Sequence, residues 1–219
     1  MHNPINIGIF LYPGMTMLDA YGPLQLLSFA TGINCFTFAK TSAPVPCDAG
    51  INLLPNYAFA DCPAIDILLV AGGGNPVQPM QDTATHDFLR QAATNAQYIT
   101  SVCTGALILA SAGLLDGYQT ACHWAYKEAF IRFPRVDVLD QRVVIDRNHI
   151  SGGGITAGLD FALTLIAKLQ GDAAAQTLQL LLEYDPQPPF SSGSPKTAAL
   201  ELVAGVQAEV HKLAPELFD

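Results

Sequence analysis

Charge is scarce in this 219-residue chain: 13% of its residues are Asp, Glu, Lys or Arg, against 50% that are hydrophobic. So lean a charged surface predicts that apolar area is buried between subunits, and a homodimer is expected. Positive charge is scarcer still, with 10 Lys and Arg against 19 Asp and Glu and a net charge of −9. No run of Lys or Arg interrupts this acidity, which argues against nucleic-acid and anionic-membrane partners. The five cysteines (35, 47, 62, 103 and 122) are odd in number and contain no C-x-x-C. No histidine pair has metal-ligand spacing. A disulfide framework and a metal site are therefore not expected, and reduced thiols in a cytoplasmic protein are. Also missing are an apolar run long enough to cross a bilayer and, in MHNPINIGIFLYPG, the basic n-region of a signal peptide. No repeat or long linker divides the chain, so it reads as one domain, 1–219, with a helical extension from about residue 196.

What is present is alternation. Strand-like runs occur at 5–12, 34–40, 65–74 and 98–102. Helical patterns occur at 18–30, at 82–96 with Asp82 as a cap, and at 104–113. Gly22-Pro23 suits a first turn better than a helix interior. Residues 44–56 look like an irregular or hairpin excursion. Residues 141–153 read as a hairpin, 156–170 and 172–184 as helices, 185–195 as a loop, and TAALELVAGVQAEVHKL as a final amphipathic helix. Apolar strands separated by helices predict a doubly wound α/β fold, its mostly parallel sheet covered on both faces.

In such a sheet, ligands bind beyond the carboxyl ends of the strands. Cys103 lies at one of these ends, in YITSVCTGA (98–106), with Ser101 and Gly105 two positions away on either side. This small-x-nucleophile-x-small pattern suits a nucleophile elbow, and the following helix N-terminus is expected to favour thiolate over thiol. A space-filling buried cysteine is the plainer alternative. AGGGNP (71–76) and ISGGGITAG (150–158) end two further strands, where bare main chain could approach a substrate or merely turn. Asp19, just after the first strand, could be an acid–base partner for Cys103 or an ordinary first-turn acid. His123, beside Trp124, reads as a packed, hydrogen-bonded residue rather than a triad base.

Taken together, YPGMTMLDAYGP, AGGGNP, TSVCTGALILASAGLL, HWAY and GGGITAGLDFALTL resemble the ThiJ/PfpI superfamily, with its class I glutamine-amidotransferase-like (flavodoxin-like) fold. Within it they are most similar to the isocyanide hydratase branch, from about residue 5 to 195. The resemblance implies a cysteine nucleophile, Cys103, with Asp19 as its partner and Thr104 bearing on its geometry. It implies oxyanion positions at the main-chain N–H groups of Gly73 and Thr104, with Gly72 alongside. It places Ile155 and the preceding glycines at a helix start beside the site. It implies an isocyanide substrate converted to an N-formamide, no cofactor and a homodimer. Thr104 stands where the peptidase branch has histidine, which argues against proteolysis. Ala71 replaces a usual proline. Aspartate and the HW pair also occur in sensor domains of AraC-type regulators, but the residues after the core look too few for a DNA-binding domain. A glyoxalase- or deglycase-like enzyme, a ligand-binding module and a redox sensor remain the alternatives.

Overall fold

Uncharged runs of branched and aromatic residues lose least by leaving water on both faces, and the chain stacks them side by side. The computed structural model describes residues 4–218. Seven strands, β1 (Ile5–Phe10), β2 (Ile33–Ala39), β3 (Tyr57–Ala58), β4 (Ile67–Val70), β5 (Tyr98–Val102), β6 (Val143–Asp146) and β7 (His149–Gly152), form one sheet. Its order is β6-β7-β5-β4-β1-β2-β3. Every neighbouring pair is parallel except the β6–β7 hairpin. Every residue of β4 is buried, and β1 and β5 are buried along their last four residues. The sheet is thus covered on both faces, as the unbroken apolar runs require.

Among the described residues, seven α-helices accompany it: α1 (Met17–Ser28), α2 (Val77–Gln81), α3 (Thr83–Asn95), α4 (Gly105–Ser111), α5 (Ala157–Gln170), α6 (Asp172–Leu181) and α7 (Leu200–Leu213). α1, α5 and α6 pack as one group, and α2, α3 and α4 as another. The start of α3 follows the sequence reading, with Asp82 accepting from the Thr85 N–H at 3.0 Å. The expected hairpin around 44–56 is a short antiparallel pair, Val45–Pro46 with Asn52–Leu53.

Two local expectations are corrected. Pro23 sits inside α1, not in its first turn. The missing N–H is offset by close packing: a Cβ on Gly158 would lie 3.1 Å from the Pro23 ring, so α1 and α5 meet at the proline. The strand expected through residue 74 ends at Val70, because the main chain of the following glycines turns back toward the loop after β1. There Thr16 N donates to Gly72 O at 2.9 Å, and Met15 pairs with Gly73.

The segment after α4 forms a 3-10 run, Trp124–Arg132, bracketed by a small pairing of Gln119–Thr120 with Asp137–Val138. The C-terminal helix docks beside the glycine turn, where Asn75 Nδ2 donates to Leu213 O at 3.0 Å. Arg132 donates to the carbonyl of Glu216 at 2.7 Å.

The sheet grows in both directions from β1, so the chain reverses between β1 and β4, and β5 lies next to β4. A reversal of this kind opens a crevice at the carboxyl ends of these strands. The seam is tight. A Cβ on Gly105 would overlap the carbonyl of Val70 at the end of β4, a backbone atom that cannot move aside. Gly105→Ala is therefore expected to cost roughly 3 kcal/mol or more. Urea denaturation would measure this, and a midpoint equal to wild type would contradict the packing.

Candidate active site

Cys103 leaves β5 with φ +59°, in the left-handed region that a residue with a Cβ seldom occupies. Its N–H is held by two carbonyls from the end of β7, Gly152 O at 3.0 Å and Gly153 O at 2.8 Å. These bonds to the neighbouring strand offset the strain and turn the thiol toward the reversal crevice. The cysteine therefore sits at an elbow, buried, with α4 beginning two residues later.

Asp19 arrives from α1 and is fully buried. Its Oδ2 accepts from Gly72 N at 3.1 Å. A Cβ placed on Gly72 would lie 2.8 Å from both Asp19 Oδ2 and Cys103 Cβ, and 2.5 Å from Thr104 N. Gly72 is thus the bare spot around which carboxylate, thiol and elbow converge, and any side chain there would push them apart. Asp19 Oδ1 makes no hydrogen bond among the described residues. The carboxyl is close enough to the thiol for each to alter the other's proton affinity.

Thr104 ties the elbow to the glycine turn. Its Oγ1 donates to Gly73 O at 2.7 Å and accepts from Gly73 N at 2.8 Å. The Gly73 N–H, assigned by resemblance to an oxyanion position, is therefore engaged by the threonine side chain. The Gly72 N–H is engaged by Asp19. The Thr104 N–H favours the charged form of the Cys103 sulfur.

The electrostatics differ from the expectation of a ready thiolate. Burial pushes the Cys103 thiol well above its ordinary value, and the nearby Asp19 pushes the same way. The Thr104 N–H at the helix start pulls down, but desolvation outweighs it. Asp19 is itself raised from 3.8 to about 7, by burial first, with the Cys103 thiol and the Gly72 N–H opposing. The arrangement holds a protonated thiol beside a carboxyl that exchanges its proton near neutrality.

His123 takes no part in a triad. Its Nδ1 accepts from Ala125 N at 3.3 Å at the start of the 3-10 run, and burial lowers its pKa. Its ring packs on Gly154, where a Cβ would approach within 2.8 Å. Together with Trp124, Cys122, Gly153, Gly154 and Ile155, it lines a cleft of about 400 Å³. Gly153 joins this cleft to the site, since its carbonyl receives the Cys103 N–H. Ile155 lies on the wall of this cleft. Lys127, Arg142 and Lys196 stand at the same cleft, paired with Asp140 and Asp160. Among the described residues, no group of three or more His, Cys, Asp and Glu could hold a metal ion.

Tyr12 was not singled out from the sequence. It is buried, its hydroxyl reaches the glycine turn at Gly73, and burial, then Asp19 and Cys103, raise its pKa. The only signal was its place in the quoted YPG stretch, where a tyrosine at a strand end reads as core.

Four likenesses to known proteins bear on this site. A model of the DJ-1/PfpI family matches residues 6–168. The isonitrile hydratase of Pseudomonas putida is 45% identical over 91% of this chain and 87% of its own length. A THiJ/PfpI family protein from Pseudomonas syringae, solved by crystallography, is 38% identical and superimposes with a TM-score of 0.94 over 99% of this chain and 90% of that one. The HTH-type transcriptional regulator GbdR of Pseudomonas aeruginosa is 31% identical over 84% of this chain, but the match spans 52% of the regulator.

The raised carboxyl has a measurable consequence. A group whose pKa is higher folded than unfolded favours the fold at low pH and loses that contribution as pH rises through its folded value. For Asp19 the loss spans the range from 3.8 to about 7. Asp19→Asn cannot ionise and escapes it. The variant should match wild type near pH 4 and melt several degrees higher at pH 8, while losing most turnover. His149, pulled down to about 4 by burial, titrates alike in both proteins and cancels from the difference. Melting curves across this range test it, and a gap independent of pH would refute the buried, proton-exchanging carboxyl.

Proposed function

The chain belongs to the DJ-1/PfpI family, and on that footing we propose that it hydrates isocyanides to N-formamides through a covalent adduct on Cys103. The observation that carries this reading is a buried thiol facing a buried carboxyl whose pKa is raised to about 7. The terminal carbon of an isocyanide must gain both a nucleophile and a proton. A group that takes a proton from sulfur and returns it at nearly the same place suits that demand. The likeness to the Pseudomonas putida isonitrile hydratase supports the same chemistry.

In this mechanism Asp19 accepts the Cys103 proton as sulfur bonds to the isocyanide carbon, then delivers it to that carbon. The product is a thioimidate, S–CH=N–R. Water then adds to the carbon, the C=N pair moves to nitrogen, and nitrogen is protonated. Collapse expels the sulfur, which regains a proton, and releases R–NH–CHO. The R group extends into the cleft lined by Trp124, His123 and Ile155. Thr104 acts by position, tying the Gly73 turn to the elbow. Gly72 admits the carboxyl. No step calls for a metal or cofactor.

A simple alkyl or aryl isocyanide should be consumed with formamide appearing in equal amount. Cys103→Ala should abolish this, and Cys103→Ser should be severely impaired, because a hydroxyl is a far poorer nucleophile near neutrality. If methylglyoxal turns over and no isocyanide in a varied panel does, a glyoxalase-like activity replaces this reading. If neither reacts but a small ligand raises the melting temperature, the likeness to GbdR takes precedence and the protein is a binding module.

The functional unit in this reading is a homodimer in a reducing cytoplasm. All five cysteines are free, and among the described residues no helix is long and apolar enough to cross a membrane. Leu180, Leu200 and Ile131 are each more than 80% exposed, which supports burial of apolar area against a second copy. Light scattering at micromolar protein should give about twice the 23.3 kDa chain mass, and a clean monomer would refute the dimer.

A further inference from the structure

Around Cys103 three main-chain donors are committed. Gly72 N–H serves Asp19 and Gly73 N–H serves Thr104 Oγ1. The Cys103 N–H is held by β7 carbonyls. Yet hydrolysis of a thioimidate brings a new oxygen to the carbon, and that oxygen needs a donor as it becomes a carbonyl. Among the described residues, three buried side-chain oxygens have no hydrogen-bond partner: Tyr12 OH, Asp19 Oδ1 and Ser101 Oγ. Two of them, Tyr12 OH and Asp19 Oδ1, belong to residues that meet the same glycine turn, Tyr12 at Gly73 and Asp19 at Gly72.

Tyr12 is 2% exposed, with its ring packed against Phe10 at 5.6 Å between centroids. Burial first, then Asp19 and Cys103, raise the pKa of its hydroxyl, and the Thr104 side chain opposes them. A Cβ on Gly73 would come within 2.9 Å of that hydroxyl, so the bare glycine is what admits it. Burying a hydroxyl without a partner costs on the order of 1–3 kcal/mol, a cost with no structural return. Tyr126 differs, because its hydroxyl donates to Gly74 O at 2.6 Å. Ser101 lies within β5, two residues before the elbow cysteine.

We propose that Tyr12 is a catalytic residue of the hydrolytic half-reaction, its hydroxyl donating to the oxygen of the attacking water while Asp19 Oδ1 takes that water's proton. The inference rests on the isocyanide reading given above. As the O–C bond forms, the C=N pair moves to nitrogen, and the proton held by Asp19 passes to that nitrogen. The C–S bond then breaks with its pair going to sulfur. The hydroxyl proton reaches sulfur through Asp19, and the oxygen becomes the formamide carbonyl. Tyr12 keeps its own proton throughout. Burial, with Asp19 and Cys103 adding to it, holds the phenol well above its ordinary value and so keeps it a donor. Formation of the adduct involves no oxygen and makes no use of it.

This division separates a catalytic Tyr12 from a structural one. Tyr12→Phe removes an oxygen that has no hydrogen-bond partner among the described residues, so its melting temperature should equal or exceed that of wild type. With a simple alkyl isocyanide, rapid-quench mass spectrometry should show Cys103 adduct forming within about twofold of the wild-type rate. Hydrolysis of that adduct should fall roughly 10²-fold, the usual cost of losing an oxyanion donor, and adduct should accumulate in the steady state. Wild-type hydrolysis in Tyr12→Phe, or an equal loss in both half-reactions, overturns the proposal. Failure of the wild-type protein to form any adduct counts against the isocyanide reading itself and is thereby distinguished. Should Tyr12→Phe not fold, 3-fluorotyrosine at position 12 keeps the hydroxyl and makes it a stronger donor. Faster adduct hydrolysis with unchanged adduct formation is then expected, and an unchanged hydrolysis rate overturns the assignment.

Discussion

The main-chain turn at Cys103 is the constraint on which the rest of the site depends. A residue with a Cβ is held at φ +59°, and its N–H is clamped by the carbonyls of Gly152 and Gly153. The neighbouring strand thus supplies what offsets the local strain. For the clamp to close, α4 must start against the end of β4, and Gly105 must be bare where it meets the Val70 carbonyl. For a carboxyl to reach the thiol, Gly72 must be bare as well. The glycines of AGGGNP therefore serve less as donors to a ligand than as absent side chains. They let β1, β4 and β5 bring their loops into one small volume.

Depth decides the electrostatics of that volume. A helix N-terminus by itself would stabilise a thiolate, typically by 0.3–1 kcal/mol when exposed, as a rough magnitude. Burial of the whole group works in the opposite direction and is larger. The thiol therefore stays protonated, and the nearby carboxyl is raised to about 7. In the proposed chemistry this is an asset, since the first step moves one proton from sulfur to carbon. A permanently ionised cysteine would have none to give, and an ordinary carboxyl would surrender it too readily. The same burial makes Asp19 a burden on stability at neutral pH, a cost that function rather than folding explains.

The fold was legible in the sequence to the extent that period and composition encode it. Unbroken apolar runs alternating with helical patterns specify a parallel sheet covered on both faces, and strand ends followed by small residues mark the rim. Cys103 and Asp19 could be singled out because chemistry-bearing residues stood at those ends. Pro23 was misplaced because the packing that tolerates it comes from α5, more than 130 residues further on.

The sequence by itself determined the architecture, the elbow and the identities of its thiol and carboxyl, because these follow from local pattern and from motifs of neighbouring residues. Only the tertiary structure decided which amides are already engaged, which way burial shifts the thiol and carboxyl, and that the Tyr12 hydroxyl reaches the glycine turn. Hydrogen-bond partners and desolvation are set by groups from four separate segments: the loop after β1, the glycine turn, the elbow and the end of β7. No window of sequence contains them together, so neither their competition for donors nor their common depth can be read along the chain.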